Sequence, residues 1–92
     1  MRGSWRRRGQ RATAVVTLVT REGCHLCEQA APVVAREARR AGAVFEERDV
    51  DAVSEDRAAY GDKVPVVLLD DVEHCYWQVD PEALRAALRA RP

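Results

Sequence analysis

The sequence predicts one α/β domain, with a mixed four-stranded sheet flanked by helices in the order β-α-β-α-β-β-α. Three observations predict it. A β-branched run from Ala14 to Thr20 leads into an alanine-rich stretch of helical period and then into a second apolar run beginning at Ala43, which implies a crossover and parallel pairing. Two later apolar runs are separated by Asp70-Asp71 alone, a spacing that makes the second return antiparallel to the first. At 92 residues the chain has room for one domain with a modest core.

Each element has its own local reason. Ala14-Val15-Val16-Thr17-Leu18-Val19-Thr20 fits a strand buried on both faces. After the turn Arg21-Glu22-Gly23, a helix runs from about Cys24 to Ala41 and stops at Gly42, a favoured residue just past a helix end. Cys27, Ala31, Val34 and Ala38 recur at helical spacing and form its expected inner face, with Glu28, Arg36, Glu37, Arg39 and Arg40 outside. Pro32 lies inside this helix and is expected to kink it, having no N–H to give. Ala43 to Val50 reads as the second strand. Asp51 to Tyr60 reads as a short helix capped by Asp51 or Ser54 and ended by Gly61. Val66 to Leu69 is the third strand and Val72 to Gln78 the fourth. Along the latter Tyr76 and Trp77 alternate, placing one ring inside and one outside. Asp80-Pro81-Glu82 opens the last helix with an N-cap acid, a proline at the first position and an acid in the first turn. Ala83, Leu84, Ala87 and Leu88 form its apolar face.

Charge is balanced overall but not locally. Residues 1–11 hold five arginines (Arg2, Arg6, Arg7, Arg8 and Arg11) and no acid, leaving ten Lys/Arg against fifteen Asp/Glu in the remainder. The segment lacks apolar periodicity, so residues 1–12 read as a disordered basic tail and residues 13–92 as the domain. The tail is taken as a solvated arm, or as translation from a start codon placed too early, rather than as a contact for nucleic acid or membrane. Arg6-Arg7-Arg8 before Ala12 to Val19 is too short, too threonine-broken and too poor in a cleavage site for a signal peptide. No stretch approaches the roughly 20 apolar residues of a membrane span. Three cysteines, an odd count, argue against a stapled secreted scaffold. The expectation is a soluble, cytoplasmic monomer.

Chemistry concentrates at Cys24-His25-Leu26-Cys27, placed where the first strand gives way to the first helix. Two thiols at this spacing can close a small disulfide ring or hold a metal. Unpaired amides and the positive end of the helix dipole favour a thiolate on the first of them. A thiolate is the attacking species in disulfide exchange. Cys24 is therefore the candidate nucleophile. Cys27, one turn in and on the inner face, is the candidate resolving thiol. His25, when protonated, would favour the Cys24 thiolate, and Leu26 offers an apolar lip to a substrate. Cys75, mid-strand, reads as a small buried hydrophobe.

This order, with a C-x-x-C box at the first β-α junction, resembles the thioredoxin fold and, within it, the glutaredoxin-like branch. The resemblance covers about residues 13–90. It rests on Cys24-His25-Leu26-Cys27, on Pro32 eight residues after the first cysteine, and on Val64-Pro65 just before the third strand. Small size, without an extra N-terminal strand and helix, favours the glutaredoxin-like branch. The resemblance implies a cis Val64-Pro65 bond that packs against the cysteine pair and turns the Val64 backbone toward substrate or glutathione. It also implies a role for Arg21, standing where glutaredoxins often have a lysine, in drawing a glutathione carboxylate or assisting the thiolate. Lys63 is a weaker parallel. The chain departs from the glutaredoxin pattern in two places. The box holds His-Leu in place of Pro-Tyr, and His74 to Asp80 lacks the glycine pair that precedes the family's ligand-binding acid. Asp80 could fill the acid's place, although capping already accounts for it.

The activity implied is that of a thiol-disulfide oxidoreductase. It would reduce protein disulfides or glutathione mixed disulfides, with no bound cofactor or metal, and draw electrons from glutathione or a thioredoxin reductase. Two other classes compete. One is a metal or iron-sulfur module built on Cys24 and Cys27. His74 and Cys75 serve it poorly as further ligands, because neighbours on a strand point to opposite faces. The other is a redox-inert adaptor that kept the fold and makes contact through its basic tail.

Overall fold

The computed structural model describes residues 13–91. The predicted basic tail, residues 1–12, lies outside the described residues, as does Pro92. Strands β1 (Val15–Thr20), β2 (Val44–Asp49), β3 (Val66–Leu69) and β4 (Val72–Tyr76) alternate with helices α1 (His25–Arg40), α2 (Ser54–Tyr60) and α3 (Pro81–Ala90) in the predicted order. The sheet runs β2-β1-β3-β4, with β1 parallel to β2 and antiparallel to β3, and β3 antiparallel to β4. The central strands are the apolar ones. β1 and β3 are buried along most of their length, while β2 and β4 are edges with exposed, charge-bearing residues. Charged edges discourage pairing with further chains.

Side-chain alternation divides the core in two. On one face Val16, Leu18 and Val67 pack beneath Ala30, Val34 and Ala38 of α1 and Leu84 and Leu88 of α3. On the other Val19, Val50, Val66 and Leu68 form a smaller cluster with Tyr60 and Val64 against it. The loops between elements follow local chemistry. Gly42 (φ +72°) ends α1, with Gly42 N–H donating to Arg39 O and Ala43 N–H to Ala38 O, the paired bonds of a glycine-terminated helix. Asp70 and Asp71 take φ of +50° and +69°, the left-handed pair that a two-residue hairpin requires. Asp80 accepts the Glu82 N–H and Pro81 opens α3, as the sequence predicts.

Four expectations need correction. Glu37 is not on the outer face of α1: it is 1% exposed. α3 lies across α1 and brings Arg85 over Glu37, with Nε to Oε1 at 3.0 Å and Nη2 to Oε2 at 2.9 Å. Those bonds hold the Glu37 carboxyl below its ordinary range against the opposing effect of burial. Neither Asp51 nor Ser54 caps α2. The N-cap is Val53 without a side-chain bond, and Asp51 is turned instead to Arg21. β4 stops at Tyr76, and Trp77 takes a left-handed φ of +67°. Both rings consequently face outward, Tyr76 44% and Trp77 53% exposed, where one was expected inside. Ala83 is exposed, so Leu84 and Leu88 carry the buried face of α3.

Candidate active site

The site is built at the C-terminal end of β1. Gly23, at φ +78°, reverses the chain, a conformation glycine adopts without a Cβ clash. The next residue, Cys24, is the N-cap of α1 in extended backbone (φ −87°, ψ 111°). Its N–H donates to Arg21 O and its C=O accepts from Glu28 N–H, each at 3.1 Å. Its sulfur accepts the Cys27 N–H at 3.1 Å. A sulfur thus takes the capping place that serine or aspartate usually fills. An amide pointing at it, with the positive end of the helix behind, favours negative charge there once the bond to its partner is opened.

Cys24 and Cys27 are joined in a disulfide, their Cα atoms 5.2 Å apart. Their environments differ: Cys24 is half-buried, whereas Cys27 is 4% exposed on the inner side of α1. An incoming sulfur meets Cys24 first. His25 projects into solvent, its Nδ1 3.8 Å from Glu28 Oε1. Leu26 is 43% exposed and forms one wall of a groove of about 450 Å³ shared with Val64, Tyr76, Trp77 and Gln78. The structure therefore brings Val64 to one surface with Leu26, the residue next to Cys27. The Val64-Pro65 bond is cis, as the resemblance implies, and Pro65 is buried.

Arg21 is held by this protein's own groups. Its Nε and Nη2 donate to Asp51 at 2.9 and 3.1 Å, and its Nη1 donates to Gly61 O at 3.0 Å. The Asp51 carboxyl is kept below its ordinary value, chiefly by these bonds. Arg21 thereby ties the turn before Cys24 to the loops on either side of α2. Lys63 is likewise engaged, reaching both Glu73 oxygens at 3.2 Å and lying 5.0 Å over the Tyr76 ring. Asp80 is occupied as the cap of α3. Cys75 is a half-buried free thiol, and burial pushes its pKa up, away from reactivity. Among the described residues no three His, Cys, Asp or Glu side chains are grouped to hold a metal.

Sequence reasoning missed the Tyr76-Trp77 wall. Trp77 N–H donates to Pro65 O at 2.8 Å and its indole N–H to Asp62 O at 3.1 Å. These bonds fix the ring, edge-on to Tyr76 with centroids 5.0 Å apart, over the groove. The available signal was position: Trp77 falls just before the Asp80 cap, in the connection rather than in the strand. Missed too was a cleft of about 410 Å³ at the disulfide, lined by Cys24 and Cys27 with Arg21, Glu22, Glu28 and Glu47.

Comparison with known proteins agrees with this architecture. The Glutaredoxin-like domain (DUF836) matches residues 15–89. Uncharacterized proteins of Mycobacterium tuberculosis and Mycobacterium bovis are 42% identical over 76 residues, 77% of this chain and 78% of theirs. Among solved structures, a structural-genomics target protein from X. campestris is 36% identical with a TM-score of 0.67, over 84% of this chain and 99% of its own. A mutant thioredoxin from Halobacterium salinarum is 26% identical with a TM-score of 0.65, over 84% of this chain and 73% of its own. The matched span runs from β1 to α3 and takes in the Cys24–Cys27 pair, so the chain belongs to the Glutaredoxin-like domain family, built on a thioredoxin-like fold and suited to redox chemistry.

Proposed function

We propose that the protein is a thiol-disulfide oxidoreductase that reduces disulfides through Cys24 and Cys27. The observation that carries this reading is the asymmetry of the pair. Cys24 is the half-exposed N-cap whose sulfur takes an amide hydrogen bond, and Cys27 is buried one turn behind it. In the dithiol form the Cys24 thiolate attacks one sulfur of a substrate disulfide. A Cys24–substrate bond forms, the substrate S–S bond breaks, and the departing thiolate takes a proton from solvent. Cys27, deprotonated, then attacks Cys24 Sγ, and the second substrate thiolate leaves. The substrate gains two electrons and the Cys24–Cys27 disulfide is formed. Two thiol equivalents, from glutathione or by way of a thioredoxin reductase, restore the dithiol. The protein acts as a cytoplasmic monomer with no bound cofactor. His25, Leu26, Val64 and Pro65 border the place where the substrate lies, and Arg21 steadies the turn that presents Cys24.

Titration in glutathione buffers, with thiol trapping and mass spectrometry, tests the reading. A reversible Cys24–Cys27 disulfide with a potential between about −120 and −300 mV is expected. Cys24→Ser keeps a good helix cap, so the fold survives and turnover is abolished. Cys27→Ser accumulates mixed disulfides on Cys24. Full dithiol turnover by Cys24→Ser sinks the proposal.

A further inference from the structure

Two hollows built around the Cys24-x-x-Cys27 box differ in chemistry. One is the groove that Leu26, from within the box, forms with Val64, Tyr76, Trp77 and Gln78. It continues past Leu26 and Trp77 into a second hollow of about 260 Å³ reaching Ala30, Val33 and Val79. Leu26, Tyr76 and Trp77 are 43%, 44% and 53% exposed, a concentration of apolar surface that marks a contact site. The other, a cleft lined by Cys24 and Cys27 themselves, carries the exposed carboxylates Glu22, Glu28 and Glu47 and one cation, Arg21. Glu22 and Glu47 form no ion pair among the described residues, and the Glu28 contact is to His25 alone. Arg21, the cation of that cleft, is already committed to Asp51 and Gly61 O, and Lys63, next to Val64 in sequence, to Glu73.

From this asymmetry we infer that the substrate is a polypeptide disulfide whose cysteine has an apolar neighbour on one side and a basic neighbour on the other, and not glutathione disulfide. The inference rests on the oxidoreductase reading and names its substrate class. The apolar neighbour enters between Leu26 and Trp77, where burial against the two side chains favours it. The basic neighbour meets the carboxylates of the cleft that the cysteines line. Glutathione carries two carboxylates and one ammonium group and offers no apolar side chain to the groove. Near Cys24 it finds acids and no uncommitted Arg or Lys among the described residues. Like charge lowers its encounter rate, and opposite charge raises that of a basic peptide.

The test uses the full chain, reduced beforehand and freed of reductant. Three disulfides are offered separately at low salt: a peptide disulfide with leucine and lysine flanking each cysteine, the same peptide with glutamate at both flanks, and glutathione disulfide. Formation of the Cys24–Cys27 bond is followed by quenching and mass. The leucine-lysine peptide is expected to react about tenfold or more faster than either of the others. In about 1 M salt, where the screening length falls to roughly 3 Å, the part of the gap due to charge closes. The triple change Glu22→Gln, Glu28→Gln, Glu47→Gln is expected to raise the glutathione disulfide rate toward that of the peptide. Trp77→Ala is expected to slow the leucine-lysine peptide more than it slows glutathione disulfide. Circular dichroism confirms that each variant is folded. Glutathione disulfide reacting as fast as the leucine-lysine peptide, or equal rates for the two peptides, overturns the substrate class and leaves the oxidoreductase reading standing. Failure of all three disulfides to oxidise the pair overturns both.

Discussion

On one face of the sheet, α1 and α3 lay Ala30, Val34, Ala38, Leu84 and Leu88 over Val16, Leu18 and Val67, eight buried residues in one cluster. On the other face α2 buries none of its own residues, and the apolar cluster is half that size. Polar contacts occupy the remainder of that second face. Thr17, fully buried, donates to Glu46 at 2.9 Å, Arg48 lies 2.9 Å from Asp56, and Arg21 and Lys63 are paired with Asp51 and Glu73. The first face is held by apolar area removed from water, which is strong and is not screened by salt. The second relies more on partly exposed ion pairs, which are individually weak and screened by salt. Cys24 stands where the two meet. Its helix is anchored in the first face, while the turn before it and the Val64-Pro65 loop are tied through the second. The site thus combines a rigid nucleophile with loops held by bonds that water can replace.

The largest expected effect breaks the first face. Leu84 is 0% exposed, so Leu84→Ala should cost about 2–5 kcal/mol of stability, read as a lowered urea midpoint. The fraction still native should exchange disulfides at the original rate, since the site loops are untouched. A slowed native fraction would show that the two faces are not separable.

A smaller effect comes from Glu37, the buried charge of the first face among the described residues. Glu37→Gln should lower the thermal midpoint by several degrees at neutral pH, because the Arg85 guanidinium loses its carboxylate. The sign of its pH dependence is fixed. The folded carboxyl titrates below its ordinary 4.5, so its contribution is complete above pH 4.5 and disappears as pH falls through the folded value. The gap between the native protein and Glu37→Gln should therefore narrow in acid, in unfolding curves measured at successive pH values. A gap that widens would contradict the pairing.

The smallest effect on stability belongs to the second face. Asp51→Asn removes the carboxylate from an ion pair whose side chains are 38% and 41% exposed, and should move the thermal midpoint by no more than a few degrees. It should nevertheless slow Cys24 exchange a few-fold, because Arg21 then holds the turn before Cys24 less firmly. High salt should reproduce part of that loss in the native protein. Unchanged exchange kinetics would remove Arg21 from the positioning of the site.

What the sequence determined by itself is local. The β-branched run of β1, the glycine at the end of α1, the Asp80-Pro81 start of α3 and the placing of Cys24-x-x-Cys27 at a strand-to-helix junction depend on residues within a turn or two of each other. Their dihedral preferences and hydrogen bonds are legible in order along the chain. The order of elements also carried the parallel first pair and the antiparallel last pair, whereas the seating of β1 beside β3 came only from the packed sheet. What only the tertiary structure decided involves partners far apart in sequence. Glu37 sat among charged residues at what helical spacing made an outer position, and its burial depends on Arg85, 48 residues away. Arg21 found Asp51 and Gly61 O, 30 and 40 residues on, so its guanidinium faces inward to the fold. Trp77 was turned outward by a bond from its own N–H to the Pro65 carbonyl of a neighbouring loop. A side chain's direction follows from which distant groups the packed elements bring within hydrogen-bonding reach, and periodicity along one element does not contain that information.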